Sequence, residues 1–165
     1  MRKLIVLCFV LFPLGIGAQE VKIAIVNQAE IFNVMPEVSD IETKLATLNE
    51  QYEKDLKVMT DEHQKKYADY MAQQDSLTEN IKLRRQQEIQ DLETRIQNYV
   101  PSARQDMEKQ AEELYAPLRE KIQNAIKAVG DEKGYAVIIN PQALLYVGST
   151  AVDATPFVKA KLGLK

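Results

Sequence analysis

The sequence VKIAIVNQAEIF, Val21 to Phe32, is the stretch that decides the fold. Its β-branched and apolar residues predict a β-strand over Val21–Asn27, covered on both faces because the apolar run is nearly continuous. A short helix over Gln28–Val34 is expected to follow. A lone strand is unstable in water, because its backbone donors and acceptors need a partner. The fold therefore depends on where the partner strand lies.

Strand-forming composition returns only about 110 residues later. YAVIIN, Tyr135–Asn140, has the same β-branched character as the first strand, and LLYVG, Leu144–Gly148, predicts a third strand. The NPQA segment between them suits the loop of a hairpin. Thr155 and Pro156 then predict the start of a terminal helix over Phe157–Leu162.

The segment between these strands predicts two long helices. From Glu37 to Met59, apolar residues recur at spacings of three and four, which is typical of a coiled-coil seam. A second helix is expected over Leu77–Lys133, with Pro101 and Pro117 as points where it bends. Two such helices lying antiparallel would return the chain to its first strand. At 1.5 Å per residue, the first of them would be roughly 57 Å long.

The turn between the two helices is expected at QQDSLTEN, Gln73–Asn80. Ser76 and Glu79 have the Ser-x-x-Glu spacing of a capping box, which starts a new helix. Because the segment contains no Gly or Pro, one continuous or gently bent helix is the alternative.

The predicted fold is α+β, with a small β-sheet base that carries a long antiparallel two-helix coiled-coil arm. The base combines residues 19–36 with 131–165, and the arm spans 37–130 with its tip near 73–80. Three strands per chain leave open apolar edges, which favours closure of the sheet by strands from other copies. We expect the oligomer interface at the apolar strand residues Ile23, Ile25, Val137, Ile138, Ile139 and Leu145.

Residues 1–18 have the layout of a secretory signal peptide. Arg2 and Lys3 precede an apolar run, and GIGA supplies small residues before the expected cleavage after Ala18. The run is shorter than the roughly 20 residues that span a bilayer, which argues against a membrane anchor. Cleavage would remove two of 21 basic residues and none of 24 acidic ones, so the formal net charge would change from -3 to -5. The only cysteine, Cys8, would be removed as well.

Residue types that carry catalytic chemistry are sparse. His63 is the only histidine and lies among solvated helix residues. The carboxylates Glu112 and Glu113 are adjacent on a helix and therefore point to different faces. The sequence shows no metal-ligand spacing and no glycine-rich phosphate loop, and its acidic balance does not favour nucleic acid. We therefore expect no catalytic residues, no metal, no cofactor and no enzyme activity.

Apolar and amphipathic residues near the arm tip are the best candidate binding residues. A two-helix arm buries only one stripe from each helix, so some of these side chains are expected to stay exposed for adaptable contacts. The alternative is that they only close the arm tip. The set consists of Tyr67, Tyr70, Met71, Leu77, Ile81 and Leu83.

Four segments together resemble the Skp/OmpH family of periplasmic chaperones. They are the signal peptide, KIAIVNQAEIF at 22–32, IQNAIKAVGDEKGYAVIIN at 122–140 and VDATPFVKAKL at 152–162. The resemblance covers essentially the whole chain after residue 18. It implies a homotrimer whose β-rich body carries three helical arms around a cavity. It also implies that the cavity holds unfolded outer-membrane β-barrel proteins in the periplasm without ATP.

The charge of the chain departs from that family pattern. The best-known members are strongly basic, which suits lipopolysaccharide and anionic membranes, whereas this chain has only Lys82, Arg84 and Arg85 as a small cationic cluster near the tip. Its acidic balance does not favour either of those partners. The leading hypothesis is an ATP-independent holdase for unfolded outer-membrane proteins. A structural or adaptor coiled-coil protein of the periplasm that binds one folded partner stays open, and client range separates the two.

Overall fold

A computed structural model describes residues 21–164, so the predicted signal peptide, residues 1–18, lies outside the described residues. Two long helices separate the first strand of a small sheet from the other two, and 3₁₀ turns lie at Gln74–Ser76 and Pro141–Ala143. The helices and strands, in chain order, are β1 (Ile23–Ile25), α1 (Gln28–Asn33), α2 (Pro36–Gln73), α3 (Glu79–Lys133), β2 (Val137–Ile139), β3 (Val152–Asp153) and α4 (Thr155–Lys161).

The sheet places β1 in the middle, in the order β2-β1-β3, and both pairings are parallel. Ala24 lies opposite Ile138 on one side and Val152 on the other. The Val26 N–H donates to the Ile139 carbonyl at 3.0 Å, which extends the pairing beyond β1. The prediction that the first strand pairs with a segment from the far end of the chain is confirmed.

The predicted third strand and its hairpin are wrong. The segment Leu144–Gly148 forms no strand, and β3 is instead the short pair Val152–Asp153. Asn140 caps the 3₁₀ turn that follows β2, since its side-chain oxygen accepts from the Gln142 N–H at 3.2 Å. This turn directs the chain away from β2, and a parallel neighbour needs a crossover connection, which a hairpin loop cannot provide.

The expectation that the first strand is covered on both faces is also wrong for the single chain. Ala24 and Val26 are buried, whereas Ile23, which precedes them, is 42% exposed and Ile25, which lies between them, is partly buried. Alternate residues of a strand point to opposite faces, so only the face carrying Ala24 packs on the chain's own helices. The face carrying Ile23 is left partly open.

The hydrophobic core lies where the sheet meets the start of α2 and the end of α3. Ile31 of α1 and Val158 of α4 are fully buried there. They pack with the start of α2 and with the last turns of α3, including Ile122 and Val129. Farther out along the long helices, few side chains are buried. Outside this core, Tyr70 and Leu92 are the buried apolar residues of the described chain.

The long helices begin and end where local chemistry allows. Pro36 starts α2, where its missing N–H costs no hydrogen bond, and Gly134 ends α3 in the left-handed conformation at φ 67°. The predicted capping box is not formed, because the Ser76 hydroxyl donates to the Gln73 carbonyl and Thr78 caps α3 without a side-chain hydrogen bond. Pro101 and Pro117 both lie inside α3, as predicted.

Contacts between α2 and α3 join early residues of one to late residues of the other. Lys121 pairs with Glu37 near the sheet, and Lys66 pairs with Glu88 near the turn. We call the paired stretches of α2 and α3 outside the core the arm, and the sheet with α1, α4 and the core the base. Between residues 21 and 164, no helix is both long and apolar enough to cross a membrane.

The Glu37–Lys121 pair should make stability depend on pH. Lys121 Nζ donates to Glu37 Oε1 at 2.5 Å, and this bond holds the pKa of Glu37 below its ordinary value. Because the folded pKa is the lower one, the stabilisation is present above the unfolded pKa and is lost as pH falls through the folded pKa. Glu37→Gln is expected to lower the free energy of unfolding at pH 7 by up to about 1 kcal/mol, since the pair is partly exposed.

Urea unfolding at pH 7 and at acidic pH measures this effect. The difference between wild type and Glu37→Gln should shrink as the pH is lowered through the acidic range. Glu42→Gln, at an exposed position on the same helix, is the matched control and should show little change at either pH. A difference that is equally large at both pH values would contradict the assignment.

Candidate functional site

Most of the predicted interface residues lie on the open face of the sheet, which is the face that carries Ile23. In a parallel pair, residues in register share a face, so Ile23 lies beside Val137 and Ile25 beside Ile139. Ile23 and Val137 are 42% and 47% exposed. Ile138 points the other way and packs against the chain's own core. The sheet therefore presents an apolar face to solvent in the single chain.

The segment Leu144–Val147 carries further exposed apolar side chains. Leu145, one of the predicted interface residues, is fully exposed in the single chain, and Tyr146 is 83% exposed. The segment has apolar, β-forming composition yet belongs to none of the strands of the described chain. Apolar side chains in such a cluster usually mark a contact with another protein surface.

The outer strands β2 and β3 also leave backbone groups at the edges of the sheet. Both pair only with β1, so the far side of each has no strand partner within residues 21–164. β3 is only two residues long, which limits the template that it offers. The edge of β2 is the more extensive of the two.

The six candidate binding residues of the arm have different environments. Four side chains project into solvent near the tip, and they are Tyr67, Met71, Ile81 and Leu83. Leu77 is partly buried in the turn. Tyr70 is buried, and its hydroxyl accepts from Gln86 Nε2 at 2.7 Å, so it joins α2 to α3. The structure thus places four of the six where another chain could contact them.

Two exposed apolar residues in the middle of the arm were not among the candidates. Val58 is 65% exposed and Val100 is 53% exposed. Val100 lines a shallow groove of about 320 Å³ between the helices, together with Leu56 and Met107. The apolar spacing could have indicated Val58, because it is adjacent to the seam residue Met59 and therefore must point elsewhere.

The charges near the tip are largely paired. Lys82 donates to Glu79 at 2.9 Å, and this bond raises the pKa of Lys82. Arg84 donates to Glu88 at 3.0 Å, which lowers the pKa of Glu88. Arg85 donates to the side-chain oxygen of Gln73. Two of the three cations of the predicted cluster are therefore paired with carboxylates, and the third is bonded to a neutral amide.

The exposed groups of the arm suit binding to another polypeptide chain. Within the described residues, no three His, Cys, Asp or Glu side chains come together in a way that could hold a metal ion. The exposed apolar side chains of the arm are separated by charged residues and lie on long helices. A surface of this kind can make several small apolar contacts with a flexible polypeptide.

Comparison with known proteins assigns the chain to a family. No curated protein is significantly similar to it. A family model described as outer membrane protein (OmpH-like) matches residues 22–162, a range that includes the sheet and both long helices. Because the match spans most of the sequence, the chain belongs to the OmpH-like family.

Proposed function

We propose that the chain is an ATP-independent periplasmic holdase, which binds unfolded outer-membrane β-barrel proteins between helical arms and prevents their aggregation. Membership of the OmpH-like family supports a chaperone-type role at the outer membrane in general. The signal-peptide pattern of residues 1–18 supports a periplasmic location.

The observation that carries the proposal is the set of exposed apolar side chains near the arm tip. Tyr67, Met71, Ile81 and Leu83 are between 44% and 64% exposed on helices that are otherwise strongly charged. Exposed apolar groups are costly for solubility, so their presence on an arm supports a role in contacting other chains. Their spread along two helices supports many weak contacts over one specific contact.

The proposed assembly is a homotrimer closed through the base. By the bounds expected from the sequence, residues 19–36 and 131–165 would supply the oligomerising region, and residues 37–130 would supply an antiparallel coiled-coil hairpin. The open sheet face with Ile23 and Val137, and the exposed Leu145, support this assembly because each would be buried by another copy. Three arms around a shared space would enclose a client without a pocket in any single chain.

Aggregation of urea-denatured outer-membrane β-barrel proteins on dilution into buffer tests the function. A holdase is expected to suppress light scattering for at least two barrel proteins unrelated in sequence, at roughly stoichiometric amounts and without ATP. Bovine serum albumin at equal concentration controls for nonspecific crowding. If only one barrel protein, or only a folded protein, is bound, the adaptor interpretation is the better one.

A further inference from the structure

Two tyrosines and two aspartates form a crossed set of hydrogen bonds midway along the arm. The Tyr52 hydroxyl of α2 donates to Asp106 Oδ2 of α3. The Tyr99 hydroxyl of α3 donates to Asp55 Oδ2 of α2 at 3.3 Å. The two rings meet edge to face, with centroids 6.2 Å apart. We call these four partly buried residues the Tyr–Asp cluster; each helix contributes one donor and one acceptor.

The hydroxyls of the cluster remain protonated at neutral pH. The hydrogen bond to Asp106 raises the pKa of Tyr52 to about 12. Burial, and then the nearby carboxylate of Asp55, raises the pKa of Tyr99. Both tyrosines therefore act as donors, and each needs an acceptor opposite it on the other helix.

The arm tip does little to set the alignment of the two helices. Residues 73–80 contain no Gly or Pro, and Thr78 caps α3 without a side-chain bond. If one helix slid past the other by one heptad, the midpoint of the connecting turn would move along the chain by half of that distance, which is about one helical turn. Tyr70, whose hydroxyl accepts from Gln86, would then lie opposite Glu79 or Glu93, and either carboxylate could accept a hydrogen bond from that hydroxyl.

The Tyr–Asp cluster, by contrast, opposes a slip in either direction. A shift of one heptad toward the base end of α3 would place Asp55 opposite Asp106, so that two carboxylates face each other. A shift the other way would place Asp55 opposite Leu92, which is buried. Like charges in contact and a carboxylate against an apolar residue are both unfavourable.

The cross-arm ion pair of Lys66 with Glu88, near the tip, opposes slipping only weakly. Lys66 would move from Glu88 to Ile81 or Arg95, and both exchanges are unfavourable. Its side chains are 38% and 42% exposed, so the contribution of this pair is small.

The position of the cluster relative to Pro101 adds a second reason for its presence. Pro101 has no N–H, so the Gln97 carbonyl lacks its usual helical donor. Tyr99 precedes this break and Asp106 follows it, and both are bonded to α2. α3 is therefore attached to α2 on both sides of its weakest point.

We propose that the Tyr–Asp cluster fixes the register of α2 against α3 in the outer arm and supports α3 across the Pro101 break. The proposal is independent of what the arm binds. Polar groups in an otherwise apolar helix–helix seam are known to select one register at some cost in stability. Uniqueness of register, rather than stability, is thus the property that the cluster controls.

Cysteine cross-linking reports the register directly. Lys66→Cys is combined in turn with Glu88→Cys, Ile81→Cys or Arg95→Cys, in full-length chain carrying Cys8→Ser. The first pair reports the observed register and the other two report a slip of one heptad in either direction. A short bifunctional thiol cross-linker is used, and links within one chain are separated from links between chains by gel mobility.

The comparison is made with an apolar variant of the cluster that carries Tyr52→Phe, Asp55→Leu, Tyr99→Phe and Asp106→Leu. The wild-type cluster should give the 66–88 link and little else. The apolar variant should give slipped links at a tenth or more of the yield of the 66–88 link, without a lower melting temperature. If the cluster only stabilised the arm, the apolar variant would instead have a lower melting temperature and the same link pattern as the wild type.

A second background keeps the test decisive if the apolar variant does not fold. Asp55→Asn with Asp106→Asn removes both charges, which oppose slipping, and keeps an acceptor opposite each tyrosine, so the slipped links should rise above the wild-type level. Asp69→Asn, at an exposed position of the same arm, is the matched control and should match wild type. If the folded variants give the 66–88 link and no slipped links above the wild-type level, the proposal is overturned.

Discussion

Leu145→Asp is expected to separate the proposed oligomer into single chains that remain folded. Leu145 is fully exposed in the single chain, so an aspartate at this position costs the chain's own fold almost nothing. In an assembly closed through the base, the same side chain would be buried between copies. A buried and unpaired carboxylate is strongly unfavourable, and the apolar contact of the leucine is lost as well.

The expected effect on assembly is large because it is repeated in every copy. Complete burial of a leucine side chain is worth about 1.5–3 kcal/mol. Lost from each of three copies, it amounts to about 4.5–9 kcal/mol per trimer, and each 1.4 kcal/mol is a tenfold change in the equilibrium constant. Association should therefore weaken by roughly a thousandfold or more, even before the carboxylate is counted.

Sedimentation velocity at micromolar concentration measures the mass, and far-UV circular dichroism measures the helix content. Ser149→Asp introduces the same charge in the exposed turn nearby and should leave the mass unchanged. Ile138→Asp is expected to behave differently from Leu145→Asp, because Ile138 packs on the chain's own core and its replacement should unfold the base. A Leu145→Asp chain with the wild-type mass would remove Leu145 from the interface.

The long-range pairing of the sheet could be predicted because its signals are strong and local. The β-branched run at Ile23–Val26 and the similar run at Val137–Ile139 stand out against long stretches with helical spacing. Gly134 accepts the left-handed conformation that ends α3, which few other residues adopt. Composition and spacing are sufficient for such features, because each depends on residues that are close in sequence.

The third strand was misplaced because composition predicts that a segment can form a strand but does not identify the strand it pairs with. Leu144–Val147 has the apolar, β-forming residues of a strand, yet β1 is paired on both sides by β2 and by Val152–Asp153. A two-residue strand carries almost no sequence signal. The exposure of Leu145 and Tyr146 can be seen only once the rest of the sheet is in place.

The polar contacts of the arm were missed for a different reason. The sequence places Tyr52 in the apolar seam, and Asp55 and Asp106 have the appearance of solvated charges. Their pairing depends on the alignment of two helices whose contacting residues are far apart in the chain. The same dependence explains Tyr70, which belongs to the candidate binding set but is buried against α3.

Replacing four exposed apolar residues of the arm tip with serine is expected to abolish client retention, whereas each single replacement should weaken it only slightly. The four are Tyr67, Met71, Ile81 and Leu83, and each has about half of its surface available for burial by a client. A contact of that size is worth about 1 kcal/mol, which is roughly fivefold in affinity. Together they amount to about 4 kcal/mol, or roughly a thousandfold.

The control for this experiment must change helix propensity without changing apolar surface. Serine is a poorer helix former than leucine and methionine, so part of any loss at Met71 and Leu83 could come from the helix itself. A control with exposed amide residues of the same helices changed to serine meets this need, and the positions are Gln64, Asn80, Gln90 and Asn98. Both fourfold variants should keep the wild-type oligomer mass, because neither alters the base.

Client affinity is measured by fluorescence anisotropy of a labelled, urea-denatured outer-membrane β-barrel protein diluted into each variant. The fourfold apolar variant should bind at least a hundredfold more weakly than the amide control, and single variants should lie within about tenfold of wild type. Higher salt should weaken binding further, because attraction between surface charges is screened over about 8 Å at physiological ionic strength. If one single replacement alone removes binding, the arm carries a discrete site, and a protein that binds one folded partner becomes the better interpretation.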